Sequence, residues 1–168
     1  LTPNNVPAGD GIAISGSGTL GGVNAGSQSY AITSAVLTGP DAANYIFSPA
    51  AAGASGTGLS GSTSATVLPA AITVTASNTV KTYDATTTIT GGSVTTLATP
   101  VLVSGALYTN SGTGLTDALA TVTGAFADAN AGNGNKTVNV TGATVLNGST
   151  SATNNYIITY INNTTSTI

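Results

Sequence analysis

The sequence predicts an all-β protein made of tandem antiparallel β-sandwich units of Ig-like character, the first of them incomplete. Three observations carry this. Helix-favouring Lys, Glu, Gln and Arg are scarce while Thr, Ser, Asn and Gly dominate. Short runs in which apolar residues alternate with Thr or Asn recur along the chain, each bounded by Gly, Asn, Ser or Pro. The same order of motifs also occurs twice. A β-grasp-like antiparallel sheet is the alternative, because pattern alone does not give strand order.

The expected strands are Ile72 to Ala76, Thr86 to Thr90, Val101 to Val103, Leu119 to Thr123, Val138 to Val140 and Tyr156 to Tyr160. Alternation puts one face of each on a core and the other in water, the habit of antiparallel sheets. The repeat supplies the organisation. Gly18-Thr19-Leu20, Asn24-Ala25-Gly26, Tyr30-Ala31-Ile32-Thr33 and Asn44-Tyr45-Ile46-Phe47 are answered in order. Their counterparts are Gly124-Ala125-Phe126, Asn130-Ala131-Gly132, Val138-Asn139-Val140-Thr141 and Asn155-Tyr156-Ile157-Ile158. Asn24 and Asn130 stand 106 residues apart, and Tyr45 and Tyr156 stand 111 apart. A duplicated unit of about 100 residues follows. Pro69 marks the joint, since it has no N–H to offer a sheet. The expected domains are 1–69, the C-terminal part of one repeat, and 70–168, a complete one. The first lacks a counterpart of Ile72 to Thr87, which leaves a sheet edge to be covered or paired.

Composition excludes more than it identifies. Only 4% of the 168 residues are charged, against about 25% in an average domain. Lys81 and Lys136 are the only cations and Asp10, Asp41, Asp84, Asp117 and Asp128 the only acids, for a net charge of -3. Nucleic-acid binding is excluded, because phosphates demand clustered Lys and Arg. The absence of His, Cys and Met removes the usual zinc, copper, haem and iron–sulfur ligands and the Ser–His and Cys–His nucleophile pairs. No enzyme activity is expected. A Thr-, Ser-, Asn- and Gly-rich surface points to secretion. No apolar run approaches a membrane span, and the start, which is not Met, reads as the interior of a longer protein.

The second unit opens with ITVTASNTVKTYDATT, Ile72 to Thr87, and continues through GAFADANAG, Gly124 to Gly132. KTVNVTGATV, Lys136 to Val145, and NNYIITY, Asn154 to Tyr160, follow. This resembles the YDG-type repeat and its MBG-type relatives in large secreted bacterial adhesins and filamentous-haemagglutinin-like exoproteins. The resemblance implies an extracellular all-β module without catalytic residues. It reaches back into the first unit through Asn24-Ala25-Gly26 and Asp41-Ala42-Ala43-Asn44-Tyr45. The triplet here is Tyr83-Asp84-Ala85, with alanine where the family name has glycine. A left-handed turn there costs alanine about 1 kcal/mol or more.

Candidate sites are few. Asp128 and Asn130, in Asp128-Ala129-Asn130-Ala131-Gly132-Asn133-Gly134-Asn135, are the calcium candidates, because alternate oxygen side chains can converge on a cation. The closing Glu is absent and the first unit has Gly22 in place of Asp128, so a tight turn is the competing reading and no cofactor is assigned. Lys81 with Asn162 or Asn163 is a crosslink candidate, a first-strand Lys and a last-strand Asn joined through an isopeptide bond with an aspartate in attendance. The competing reading is a lysine that guards an edge strand. Thr73/Thr75 and Thr121/Thr123 read as solvent-facing strand residues and Tyr45, Tyr156, Leu20 and Phe126 as core.

The expected function is mechanical, that of a stalk or spacer in a surface adhesin that also serves cell adhesion. Its partners are neighbouring repeats and a host or cell-surface glycan or protein. Two alternatives stand beside it. One is a fibre or matrix subunit, a homo-polymer formed by strand exchange into the incomplete unit. The other is a lectin-like glycan-binding module, which needs a concave aromatic site. The Gly- and Ser-rich stretch from Ala51 to Ser64 reads as loop without such a site.

Overall fold

The structure is a computed structural model that describes residues 6–46 and 64–168. Phe47 and, of the Gly- and Ser-rich stretch, residues 51–63 lie outside the described residues. The described residues form strands, short 3-10 turns and connections, without an α-helix. The chain divides into two compact units, Leu1–Val67 and Leu68–Ile168.

In the first unit, β1 (Ala13–Leu20) pairs antiparallel with β3 (Tyr30–Thr38), from Leu20 opposite Tyr30 to Ala13 opposite Thr38. Ser17 faces Ser34 while Gly18 faces Ile32, so Thr33 is a one-residue bulge. Glycine is needed beside it, because a Cβ on Gly18 would lie 2.6 Å from the Ala31 carbonyl oxygen. β2 (Gly26–Gln28) pairs with β4 (Ala65–Val67), Gly26 opposite Val67. A 3-10 turn, Ala42–Asn44, follows β3 and ends on extended Tyr45.

The second unit repeats this geometry. β9 (Ala118–Phe126) and β10 (Lys136–Asn147) pair antiparallel with Phe126 opposite Val138 and Gly124 opposite Val140. The register then skips Thr141, and a Cβ on Gly124 would lie 2.2 Å from the Asn139 carbonyl oxygen. The 3-10 turn Thr153–Asn155 ends on Tyr156. Its preceding residue Ala152 has φ -113 and ψ 6, against φ -103 and ψ 5 at Asp41. Gly132 and Ile168 exchange backbone hydrogen bonds at 2.8 and 2.9 Å, where the first unit pairs Gly26 with Val67.

Among the described residues, the core clusters lie in the second unit. The Thr141 bulge shifts the phase of β10 by one residue, so Val138 and Val140 before it and Ala143 and Val145 after it all point inward. β5 (Ala70–Ala76) answers with Ile72, Val74 and Ala76. Ile72 and Val74 pack with Ala143, Val145, Ala152 and Tyr156, and Ala76 packs with Ile89, Phe126, Val138, Val140 and Ile168. In the first unit, Ala35 is the only buried apolar residue among those described.

Two strand expectations are corrected. β12 (Tyr156–Tyr160) runs parallel to β5, while β8 (Pro100–Ser104) pairs antiparallel on its other side. A parallel pair needs a long crossover, and the chain between Ala76 and Tyr156 supplies it. Thr86 to Thr90 is not a strand, and only Thr88 forms an isolated bridge, to Ala125. The carbonyls and hydroxyls of Thr86 and Thr88 are bonded to Lys81 instead, and such local bonds compete with a ladder. Lys81 itself ends β6 (Val80–Lys81), which pairs with β7 (Val94–Thr96). Two short strands, β11 (Thr150–Ser151) and β13 (Asn163–Ser166), pair with opposite ends of β10.

Candidate functional site: two lysine clasps and a buried tyrosine network

Lys81 lies at the end of β6 with its side chain fully buried. Burying an ammonium is costly unless it is paired and hydrogen-bonded, and the next seven residues supply the partners. Nζ sits 2.7 Å from Asp84 Oδ1 and donates to the Thr86 carbonyl at 2.8 Å and the Thr86 hydroxyl at 2.6 Å. The Thr88 carbonyl and hydroxyl stand at 3.3 and 3.4 Å. Asp84 also accepts from the Thr86 N–H at 2.9 Å and from the Ser93 hydroxyl. The Lys81 ammonium, and after it the Ser93 hydroxyl, hold the Asp84 carboxyl well below the usual carboxylate range. Tyr83 is 60% exposed and Ala85 has φ 61, the only positive φ outside glycine among the described residues. Ala85 therefore stands in the left-handed region that glycine enters freely.

Lys136, the other cation, is also buried, and its ammonium bonds Asp128 across the β9–β10 turn. Asp128 accepts the Asn130 backbone N–H at 2.9 Å as well. Lys136 is the main reason that the Asp128 carboxyl is lowered. The calcium candidate is therefore rearranged: the carboxylate offered to a cation by the sequence is held by an ammonium, and Asn130 approaches it through its backbone. No group of three or more acidic side chains able to hold a metal occurs among the described residues.

Lys81 and the two asparagines are not brought together. Asn162 donates to Asn139 Oδ1 at 2.9 Å and accepts from the Val140 N–H at 3.1 Å. Asn163 donates to the Ala76 carbonyl at 3.1 Å and to Asn78 Oδ1 at 2.8 Å, and accepts from Ser166 Oγ at 2.8 Å. These amides tie β13 to β10 and to the end of β5, and the Lys81 ammonium is committed to its own loop.

A third cluster lies in the core. Tyr156 donates to Asp117 Oδ2 at 2.8 Å, and Asn147 Nδ2 donates to Asp117 Oδ1 at 2.7 Å. The Tyr108 N–H reaches the Tyr156 hydroxyl at 3.1 Å. Burial pushes the Tyr156 phenol up. The first unit has a counterpart in Tyr45, whose hydroxyl donates to Asp10. That bond pushes Tyr45 up to about 12. In each unit the tyrosine that ends the 3-10 turn anchors an aspartate just ahead of the hairpin's first strand. Sequence reading placed Tyr45 and Tyr156 as core without finding their acids. The signal was the recurrence of an aspartate a few residues before each hairpin.

One open groove of about 250 Å³ lies between Thr87 to Thr90 and β9, and another of about 540 Å³ lies over β1 and β3. Tyr30 is the only aromatic residue that lines either.

The two lysine clasps each close a turn, and the tyrosine network ties Asp117 to Asn147 and Tyr156 across the second unit. Comparison with known proteins found no match among curated proteins and none among solved structures. A family model, the YDG domain, matches residues 68–166. That stretch contains Tyr83-Asp84-Ala85, both lysine clasps and the tyrosine network, and by it the chain belongs to the YDG domain family.

Proposed function

We propose that the chain is a non-catalytic extracellular repeat module of a large bacterial surface adhesin of the filamentous-haemagglutinin-like kind. It acts as a stalk or spacer and in cell adhesion, each unit a β-sandwich of Ig-like character. The duplication carries this reading: hairpin, bulge, required glycine, 3-10 turn and tyrosine–aspartate bond recur in both units. Units repeated in series add length with each copy. Composition supports the location, because a chain without Cys or Met has little to lose to extracellular oxidants. Its partners in this reading are neighbouring repeats, with a host or cell-surface glycan or protein met by the parent protein. Small-angle scattering with sedimentation over a wide concentration range tests it. A monomer longer than one compact particle of its mass is the expected result. A single compact particle counts against it.

A second reading, a self-assembling fibre or matrix subunit, draws on one observation. The hairpin face that β5 covers in the second unit is open in the first, where Leu20 is 50% exposed and its counterpart Phe126 3%. The larger groove lies over Ile14, Gly16, Gly18 and Ile32. A strand from another molecule would cover it by adding to the hairpin. Growth into long particles with concentration is the outcome that favours this reading over the first.

A further inference from the structure

The chain contains two Asn-Gly pairs, Asn133-Gly134 and Asn147-Gly148, in opposite surroundings. Asn147 is 6% exposed and its amide is fully engaged. Nδ2 donates to Asp117 and to the Leu115 carbonyl at 2.7 and 2.8 Å, and Oδ1 accepts from Thr113 Oγ1 at 2.5 Å. Asn133 is exposed, in the turn between β9 and β10. This turn is two residues longer than its counterpart, since four steps separate Gly26 from Tyr30 and six separate Gly132 from Val138. Gly134 has φ 67, and nothing lies within 4 Å of where a Cβ would stand. The Thr167 hydroxyl bridges the pair: it accepts the Gly134 N–H at 2.9 Å and donates to Asn133 Oδ1 at 3.3 Å.

We propose that Asn133-Gly134 is a self-modification site at which the Thr167 hydroxyl promotes succinimide formation. The two groups it bridges are the nucleophile and the oxygen that gains charge when an asparagine side chain is attacked by the following backbone nitrogen. Gly134 N bonds to Asn133 Cγ and its proton passes to Thr167 Oγ1, while the hydroxyl proton of Thr167 passes to Asn133 Oδ1. When the tetrahedral adduct collapses, the Cγ–Nδ2 bond breaks and that proton leaves with the nitrogen as ammonia. Water then adds to either imide carbonyl and one C–N bond opens, which leaves an aspartate or an isoaspartate at position 133. No oxidant or reductant is involved. The product carries one more negative charge, taking the net charge from -3 to -4. The iso form also lengthens the main chain of a turn that contacts Thr167, beside the backbone pair of Gly132 and Ile168. The change runs one way, so it marks the turn with age and loosens its hold on Thr167 and Ile168.

The test is to age the full 168-residue chain in mildly alkaline buffer and map both sites by peptide mass spectrometry with isoaspartate detection. Position 133 is expected to convert at least about tenfold faster than position 147, whose buried hydrogen bonds must first open. Thr167→Val is expected to slow position 133 by about fivefold, the worth of one lost hydrogen bond, and Thr167→Ser to restore the rate. Conversion at 147 in the same samples reports whether each variant stays folded, since exposure of that amide would raise it. Equal rates at both positions in the native chain overturn the proposal. So does an unconverted position 133 in a native chain whose denatured form converts. So does a rate at 133 that Thr167→Val and Thr167→Ser leave alike.

Discussion

The two units share a backbone plan and differ in what covers it. Leu20 and Phe126 occupy the same hairpin position, opposite Tyr30 and Val138, yet one is half exposed and the other buried. Thr33 and Thr141 bulge at the same register, and Gly18 and Gly124 stand beside a carbonyl that admits no Cβ. The difference shows which properties are local. Bulge and register come from the hairpin's own residues and persist where the hairpin position is half exposed. Burial, and the stability that follows from it at about 25 cal/mol per Å² of apolar surface, needs β5 and the loop that carries Ile89.

Substitutions can break or sharpen this comparison. Phe126→Ala is expected to cost the second unit about 3–5 kcal/mol, while Leu20→Ala costs the first below about 1 kcal/mol. Residue-resolved hydrogen exchange across a denaturant series reads both. Equal costs would mean that the open face is closed in solution. Gly124→Ala and Gly18→Ala are expected to cost about 1–3 kcal/mol each, because a Cβ must push back a strand carbonyl in either unit. Damage in only one unit would show that the bulge is not held alike in both.

Acid separates the units in another way, because both ion pairs found among the described residues lie in the second. Asp84 and Asp128 have lowered folded-state pKa values. Their contribution is therefore complete above the unfolded carboxylate value of about 4 and is lost as pH falls toward the folded values. Acid unfolding followed by hydrogen exchange should loosen the Lys81 loop and the β9–β10 turn first. Asp84→Asn should remove about one proton of the accompanying uptake. An unchanged pH slope in that variant would assign the acid sensitivity elsewhere. The smallest expected effect is a gain. Ala85→Gly relieves a left-handed alanine and adds freedom to the unfolded chain, for a net stabilisation of about 0.5 kcal/mol read from the urea midpoint.

Much of this was legible in the residues. The runs at 72–76, 101–103, 119–123, 138–140 and 156–160 all lie within strands. The Gly18-Thr19-Leu20 and Tyr30-Ala31-Ile32-Thr33 motifs and their counterparts occupy matching places in the two hairpins, and Tyr45 and Tyr156 each end a 3-10 turn. A phase slip was there to be read as well: apolar residues at 138 and 140 resume at 143 and 145, as those at 30 and 32 resume at 35 and 37. Thr86 to Thr90 misled because β-branched composition says nothing of a lysine that claims the same carbonyls. The lysine partner of Asp128 was illegible for a related reason. Asp128 and Lys136 are eight residues apart, but only the closed hairpin turn puts the ammonium on the carboxylate.

By itself the sequence determined the β class, the duplication, the turn glycines and the absence of metal-binding and nucleophilic side chains of the usual kinds. Each of these rests on composition or on spacing along the chain. Only the tertiary structure decided that β12 lies parallel to β5, that both lysines are buried, and that Asp117, Asn147 and Tyr156 form one network. Those outcomes join residues 30 to nearly 90 positions apart or depend on the cost of an unpaired buried charge, and both are settled only once the layers close over one another.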